Sequence, residues 1–332
     1  MAGCYTHITV VSKILDKREL ESIGLDTRIS KMLREWSNYV KLGAVSPDLP
    51  YLGFGKKWAD KFHYEKTSQI VREGLDALFD KSFDDVHAQK QLAWLFGYAA
   101  HLVTDLYLHP VIEKKVGPYA ENKNEHRICE MNQDAWVLKK EMHDDVGRGE
   151  IFDNTIKTCT ETGAEGYIVD NAISEFWNLL IEKVYSSRRG PSPDKWFASF
   201  SEFWQMLIKK VCSPWWSPSP NKWFASFVAL MDKFAENPGK HLIITRTLLK
   251  NFHYGYPSEP DSDYVDNLHR PNGECVDFHT VFNEAVEKVK EYWAQMANAL
   301  STKDVSCFTL PDGNLDTGKR LSVPETSIFW EE

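Results

Sequence analysis

The segment Gly97-Tyr98-Ala99-Ala100-His101-Leu102-Val103-Thr104-Asp105-Leu106-Tyr107-Leu108-His109-Pro110 constrains this chain more than any other. Leu92, Trp94, Leu95, Phe96, Leu102, Val103, Leu106 and Leu108 leave no polar stripe for water, so the spacing predicts a helix buried on all sides. Into it the sequence sets His101, Asp105 and His109 at i, i+4 and i+8, on one face and one turn apart. A carboxylate buried there without a partner would cost on the order of several kcal/mol. A divalent cation shared with the imidazoles answers that cost. An Asp–His hydrogen bond without metal is the plainer alternative, and the rest of the chain argues against it.

At 332 residues and 42% hydrophobic, the chain can bury a large core, as one big domain or two modest ones. A net charge of -9 opposes a sequence-independent grip on a nucleic-acid backbone, which makes nucleic acid the less favoured partner. No run of 18 or more apolar residues occurs, so no transmembrane helix is expected. Met-Ala-Gly-Cys-Tyr-Thr-His lacks a basic stretch followed by an apolar one, and a cytoplasmic chain without signal peptide is the expectation. The six cysteines contain no Cys-x-x-Cys pair, which fits reduced thiols in that setting.

Read in order, the chain predicts an all-α fold, a multi-helix bundle with a metal cluster in a cleft between helices. Residues 8–42 carry a helical period. Residues 43–53, with two prolines and two glycines, predict a rigid loop that carries Asp48. A helix over about 58–79 holds His63, and the organising helix spans about 86–109, with Pro110 marking its end or a kink. A helix over about 124–146 carries His126 and Glu130 at i, i+4, and further helices are expected near 166–185, 195–212, 221–235 and 275–301. Residues 1–150 then form the metal-binding catalytic core, 151–300 add helices to the same domain, and 301–332 form a polar tail over the surface. Residues 191–200 recur at 218–227, each copy a proline-rich helix start with Ser192 or Ser219 as N-cap. With Trp215 and Trp216 nearby, this insertion over 191–227 could instead shape a lipid or partner surface. The Pro- and Gly-rich stretch 253–274 is long enough for a lid.

His7, Asp48, His63, His101, Asp105, His109, His126 and Glu130 all fall in the first 130 residues. Imidazole with carboxylate and no thiolate suits catalytic zinc, and eight candidates exceed the needs of one four-coordinate ion. Arg127 could contact a phosphate or form a surface salt bridge. His143-Asp144 supplies the adjacent pair that a His-Asp phosphohydrolase would use, a weaker reading. His87, His143, His241, His253, His269 and His279 read as surface or core residues, although His253 and His269 flank the expected lid.

Thr6-His7, Ser46-Pro47-Asp48, Trp58 followed by His63-Tyr64, His101-x-x-x-Asp105 with His109-Pro110, and His126-x-x-x-Glu130 together resemble the zinc-dependent phospholipases C. The related three-zinc single-strand nucleases and the catalytic domain of glycosylphosphatidylinositol-specific phospholipase D share the pattern, and the resemblance covers roughly residues 3–145. It implies an all-helical enzyme with two or three zinc ions that cleaves a phosphodiester, phospholipid-like bond by a zinc-activated water. By resemblance, Asp48, His63, His101 and Asp105 would hold one ion, and His109, His126 and Glu130 a second. Asp105 would bridge to a third, bound by His7 and the backbone amine and carbonyl of the mature first residue, Ala2 once Met1 is removed. Asp48 is either a ligand or the general base that orients the water. Hydrolysis of an amide or thioester by the same cluster, or a helical interaction module with a structural metal cluster, are the alternatives.

Overall fold

The computed structural model describes residues 3–52, 55–142, 154–161, 167–185, 218–235 and 257–330, and these are mostly helical. The expected helical stretch over 8–42 is divided into α1 (Cys4–Ile14), α2 (Lys17–Ile23), α3 (Thr27–Glu35) and α4 (Ser37–Val45). The divisions have local causes. Asp16 and Asp26 accept the amides of Arg18 and Arg28 and start new helices, while Gly24, at φ 73°, ends α2 in a left-handed turn.

Ser46–Asp48 forms a turn of 3-10 helix and Leu49–Leu52 the short α5, where a non-helical loop is expected from the sequence. Pro47 sits in the first positions of that turn, where its missing N–H has no helical acceptor to lose. The single helix expected over 58–79 is two, α6 (Lys56–Tyr64) and α7 (Gln69–Leu78), separated where Lys66 adopts φ 50°.

The organising helix, α8 (Val86–Val116), starts at Asp85, whose carboxylate accepts the His87 amide at 2.9 Å, and stops at Gly117, φ 89°. It runs through Pro110 rather than ending there. The carbonyl that a proline at 110 leaves without its helical donor, Leu106 O, is covered by the backbone of Gly318. A Cβ on Gly318 would lie 2.7 Å from that oxygen and 2.3 Å from Pro110 Cγ. His109 therefore stays on the same face as His101 and Asp105.

The remaining helices are α9 (Lys123–Lys140), α10 (Asn171–Tyr185), α11 (Pro220–Ala235) and α12 (Phe278–Thr302). The helix expected near 195–212 and the first repeat copy lie outside the described residues. The described residues also form two small antiparallel hairpins: β1 (Leu268–His269) with β2 (Cys275–Val276), and β3 (Gly313–Asn314) with β4 (Lys319–Arg320).

Most of the described helices pack on α8. α4 crosses it at glycine: a Cβ at Gly43 would lie 2.0 Å from Trp94 O, and one at Gly97 would lie 1.9 Å from Val40 O. Backbone thus meets backbone, and the turn that carries Asp48 is drawn against α8, where Trp94 Nε1 donates to Ser46 Oγ at 2.8 Å. On another side Trp293 of α12 donates to Phe96 O at 3.0 Å. α1 wedges against α4, α8 and α9, with Ile8, Val10 and Val11 wholly buried.

The structure bears on three expectations. In the second repeat copy Trp223, Phe224 and Phe227 are buried, and Trp223 packs on Trp177 at 5.3 Å and Phe62 at 5.9 Å, so these aromatics fill core rather than offer a lipid surface. Trp215 and Trp216 lie outside the described residues. Of the stretch 253–274, residues 257–274 dock on α9, with the Asp261 amide bound to Asn132 Oδ1 at 2.8 Å and Leu268 buried. The segment after 301 does more than cover the surface, because Phe308, Leu310 and Leu315 are in the core.

Candidate metal centre

α1 supplies His7, the proline turn Asp48, α6 His63, α8 the triplet His101, Asp105 and His109, and α9 His126 with Glu130. Asp105 stands in the middle. Its Oδ1 lies 3.1 Å from His7 Nε2 and 3.4 Å from His109 Nε2, while its Oδ2 lies 3.2 Å from His101 Nε2 and 4.0 Å from His63 Nε2. Asp48 Oδ1 reaches His63 at 3.1 Å and His101 at 3.9 Å. Glu130 Oε1 reaches His126 at 3.2 Å and His109 at 3.4 Å. Three groups have ligand atoms close enough to share an ion: His7, His101 and Asp105; Asp48, His63 and His101; and His109, His126 and Glu130. The eight residues expected at the site are thus brought together. The Asp48 side chain, 14% exposed, is at the mouth, while the other seven are essentially sealed.

The hydrogen bonds around the imidazoles fix which nitrogen faces inward. Nδ1 of His63 donates to Ala59 O at 2.8 Å, that of His101 to Ala44 O at 2.9 Å, and that of His109 to Leu315 O at 2.6 Å. A carbonyl only accepts, so each Nδ1 carries the hydrogen and each neutral ring aims the lone pair of Nε2 at the cluster. Nε2 of His7, His101, His109 and His126 has no hydrogen-bond partner although buried. Lone pairs facing carboxylate oxygens at these distances need a proton or a metal between them. Protonating every ring would bury several charges at once, and the all-nitrogen and oxygen donor set is one that zinc takes. The residues fit a zinc cluster.

The electrostatics agree with shared cations. Burial pushes the Asp105 carboxyl up, but His109, His101 and His7 around it hold it well below the usual carboxylate range. Asp48 is likewise held down, against burial, by His101 and His63, and Glu130, against burial, is held well down with His126 and His109 beside it. Burial lowers His101 and His126, whereas Asp48 and Asp105 raise His63 despite its burial. The carboxylates therefore stay ionised, and the His101 and His126 rings are pressed toward the neutral, metal-binding form.

Sequence reasoning missed the supports. Asp134, buried on α9, accepts from Thr6 N at 2.8 Å and Thr6 Oγ1 at 2.7 Å and so seats the first turn of α1 beside the cluster. Gly3 is required there, since a Cβ would fall 1.9 Å from that carboxylate. The turn-rich run Asp312-Gly313-Asn314-Leu315-Asp316-Thr317-Gly318 was the available signal for the hairpin that presents Leu315 O. Arg127 Nη1 lies 3.6 Å from Oε2 of the buried Glu130, an ion pair with a cluster carboxylate. Ala2, His143, Asp144, His241 and His253 lie outside the described residues. His87, His269 and His279 are exposed and away from the cluster.

The family model for zinc dependent phospholipase C matches residues 6–188, more than half of the chain and further than the motifs reach. The chain belongs to this family. No curated protein and no solved structure matches it. Zinc dependence and a phosphodiesterase-type metal-dependent hydrolase follow from membership at the level of the family.

Proposed function

We propose that this zinc-dependent phospholipase C relative hydrolyses a phospholipid-like phosphodiester to a phosphomonoester and an alcohol, with two or three zinc ions held by the eight clustered residues. The observation that carries the reading is Asp105, whose two oxygens face different imidazoles and so join the His109, His126, Glu130 group to the His7, His63, His101 side. Paired zinc, when bound, polarises phosphoryl oxygens and brings water toward hydroxide near neutral pH. The chain's own contribution is placement. Carbonyls of Ala44, Ala59 and Leu315 lock three imidazoles, and Asp48, held ionised beside His101 and His63, would orient the attacking water or take its proton. The rings of Tyr51, 5.5 Å from His63, and Tyr119, 4.9 Å from His126, pack beside the imidazoles of the cluster. No helix among the described residues is long and apolar enough to cross a membrane.

The test is elemental mass spectrometry of metal-replete protein together with chromogenic phosphodiester, carboxylic ester, amide and thioester substrates. Two or three zinc per chain and turnover confined to the phosphodiester, lost on chelation and restored by zinc, is the expected result. Preference for amide or thioester would redirect the chemistry. Zinc without any turnover would return the chain to a structural cluster.

A further inference from the structure

We infer that the dipeptide Leu315-Asp316, far outside the region matched by the family model, is a clamp on the metal centre that couples docking of the C-terminal segment to zinc binding. The inference rests on zinc occupying the cluster as proposed above. Two consecutive residues make three contacts with it. The Leu315 carbonyl accepts His109 Nδ1 at 2.6 Å, the Leu315 amide donates to the carbonyl of His63 at 3.0 Å, and the Asp316 carboxylate accepts the hydroxyl of Tyr64, the neighbour of His63. His63 and His109 stand on different helices, α6 and α8, so the dipeptide ties one side of the cluster to the other. Leu315 is wholly buried and Asp316 is 2% exposed, which keeps water from competing for these bonds.

The clamp is held on both sides by contacts that need no metal. Toward α7, Ser68 N and Oγ donate to Asp312 Oδ1 at 2.9 and 2.7 Å, Thr67 and Gly313 exchange two bonds, and Arg72 Nη2 donates to Leu310 O at 2.6 Å. Toward α8, Gly318 lies on Pro110 and on the Leu106 carbonyl. The segment is thus strung between α6–α7 and α8, and its middle supplies the acceptor that sets the His109 ring. With that acceptor gone, the ring loses the bond that aims Nε2 at Asp105 and Glu130, each 3.4 Å away. Removing such an outer partner of a metal-bound histidine typically weakens metal binding about 10–100-fold. Coupling is reciprocal, so bound zinc must in turn hold the segment down. Tyr64 and Asp316 are positioning residues, acting through His63 and through the Leu315 backbone.

The experiment uses the full chain as wild type, Asp316→Ala, Asp316→Asn and Tyr64→Phe. Zinc affinity is read by competition with a chromogenic chelator, the ligand field by cobalt substitution, helix content by circular dichroism, and exchange of the Leu315 amide by hydrogen–deuterium mass spectrometry. We expect Asp316→Ala to weaken zinc about 10–100-fold and to alter the cobalt spectrum with helix content unchanged. Asp316→Asn, which still offers an oxygen to Tyr64, should recover most of the affinity. In wild type the Leu315 amide should exchange at least about tenfold more slowly with zinc than after chelation, a coupling inside the usual range. Wild-type affinity in Asp316→Ala with equal exchange in both metal states would overturn the clamp and leave the zinc reading standing. Should Asp316→Ala fail to fold, the exchange comparison on wild type decides alone. A wild type that takes up no zinc would overturn the proposed function and the clamp together.

Discussion

Asp105 is the residue on which the centre turns, because each of its oxygens already has imidazoles on its side and no other carboxylate in the cluster faces both halves. Asp105→Asn keeps the shape but removes the charge and turns one oxygen into a donor aimed at imidazoles. We expect it to bind fewer zinc ions per chain than wild type and to lose phosphodiester turnover by about 10³-fold, roughly 4 kcal/mol of barrier. Elemental analysis with single-substrate kinetics checks this, and a variant that keeps both near wild type would rule out Asp105 as the bridge. The ligand types were legible because helical spacing leaves a written trace: His101, Asp105 and His109 share a face at any tertiary arrangement, and so do His126 and Glu130. Their supports leave no such trace. The acceptor for His109 is the backbone oxygen of a leucine 206 positions away, and nothing about Leu315 as a residue type marks it. Asp134 reads as an ordinary helical carboxylate until α1 is docked on it.

At the scale of elements, the long apolar α8 was readable because burial on all sides suppresses any amphipathic alternative. Its true end was not, since whether a helix survives Pro110 depends on Gly318 covering the freed Leu106 carbonyl, a contact 212 residues distant by numbering. The break between α6 and α7 hangs on one residue at positive φ, Lys66, which carries no glycine to announce it. The seam that joins elements near the other end of α8 is polar and can be tested. Asp170, just before α10, accepts from Tyr39 of α4 and from Lys90 of α8, both at 2.6 Å, and from the Ala172 amide at 2.9 Å. Burial pushes its carboxyl up, but these donors outweigh burial and hold it below its ordinary value. A depressed carboxylate contributes stability that is complete above its unfolded pKa of about 3.9 and is lost as pH falls through the folded value. Asp170→Asn should therefore cost about 2 kcal/mol at pH 7, the scale of charge-assisted bonds lost within a protein. The gap from wild type should shrink as the pH drops below about 4. Urea unfolding of both proteins across that range measures it, and a pH-independent gap would mean that the charge on Asp170 contributes nothing.

For the whole molecule, the question is how much of the fold belongs to the cluster and how much to the core. The apolar packing around α8 is continuous through α1, α4, α7, α10 and α12 without any metal ligand taking part, from Ile8 and Val40 to Trp94, Trp177 and Trp293. The glycine crossing of α4 on α8 and the clamp's anchors at Ser68 and Arg72 are equally independent of the ions. A chain with this much core does not depend on zinc to reach its helical state, unlike a zinc finger. Zinc that binds only the folded form still adds stability by mass action, about 4 kcal/mol at a free concentration a thousand times Kd. At about 2–4 °C per kcal/mol for a chain of 150–250 residues, and less for a longer one, chelation should lower Tm by several degrees up to about 15 °C. Far-ultraviolet circular dichroism at 20 °C should change little, while thermal melts with zinc and with chelator separate. Collapse of the helical signal on chelation at 20 °C would instead make the cluster the keystone of the fold, the behaviour expected if its role were structural and its carboxylates and imidazoles had no substrate to serve.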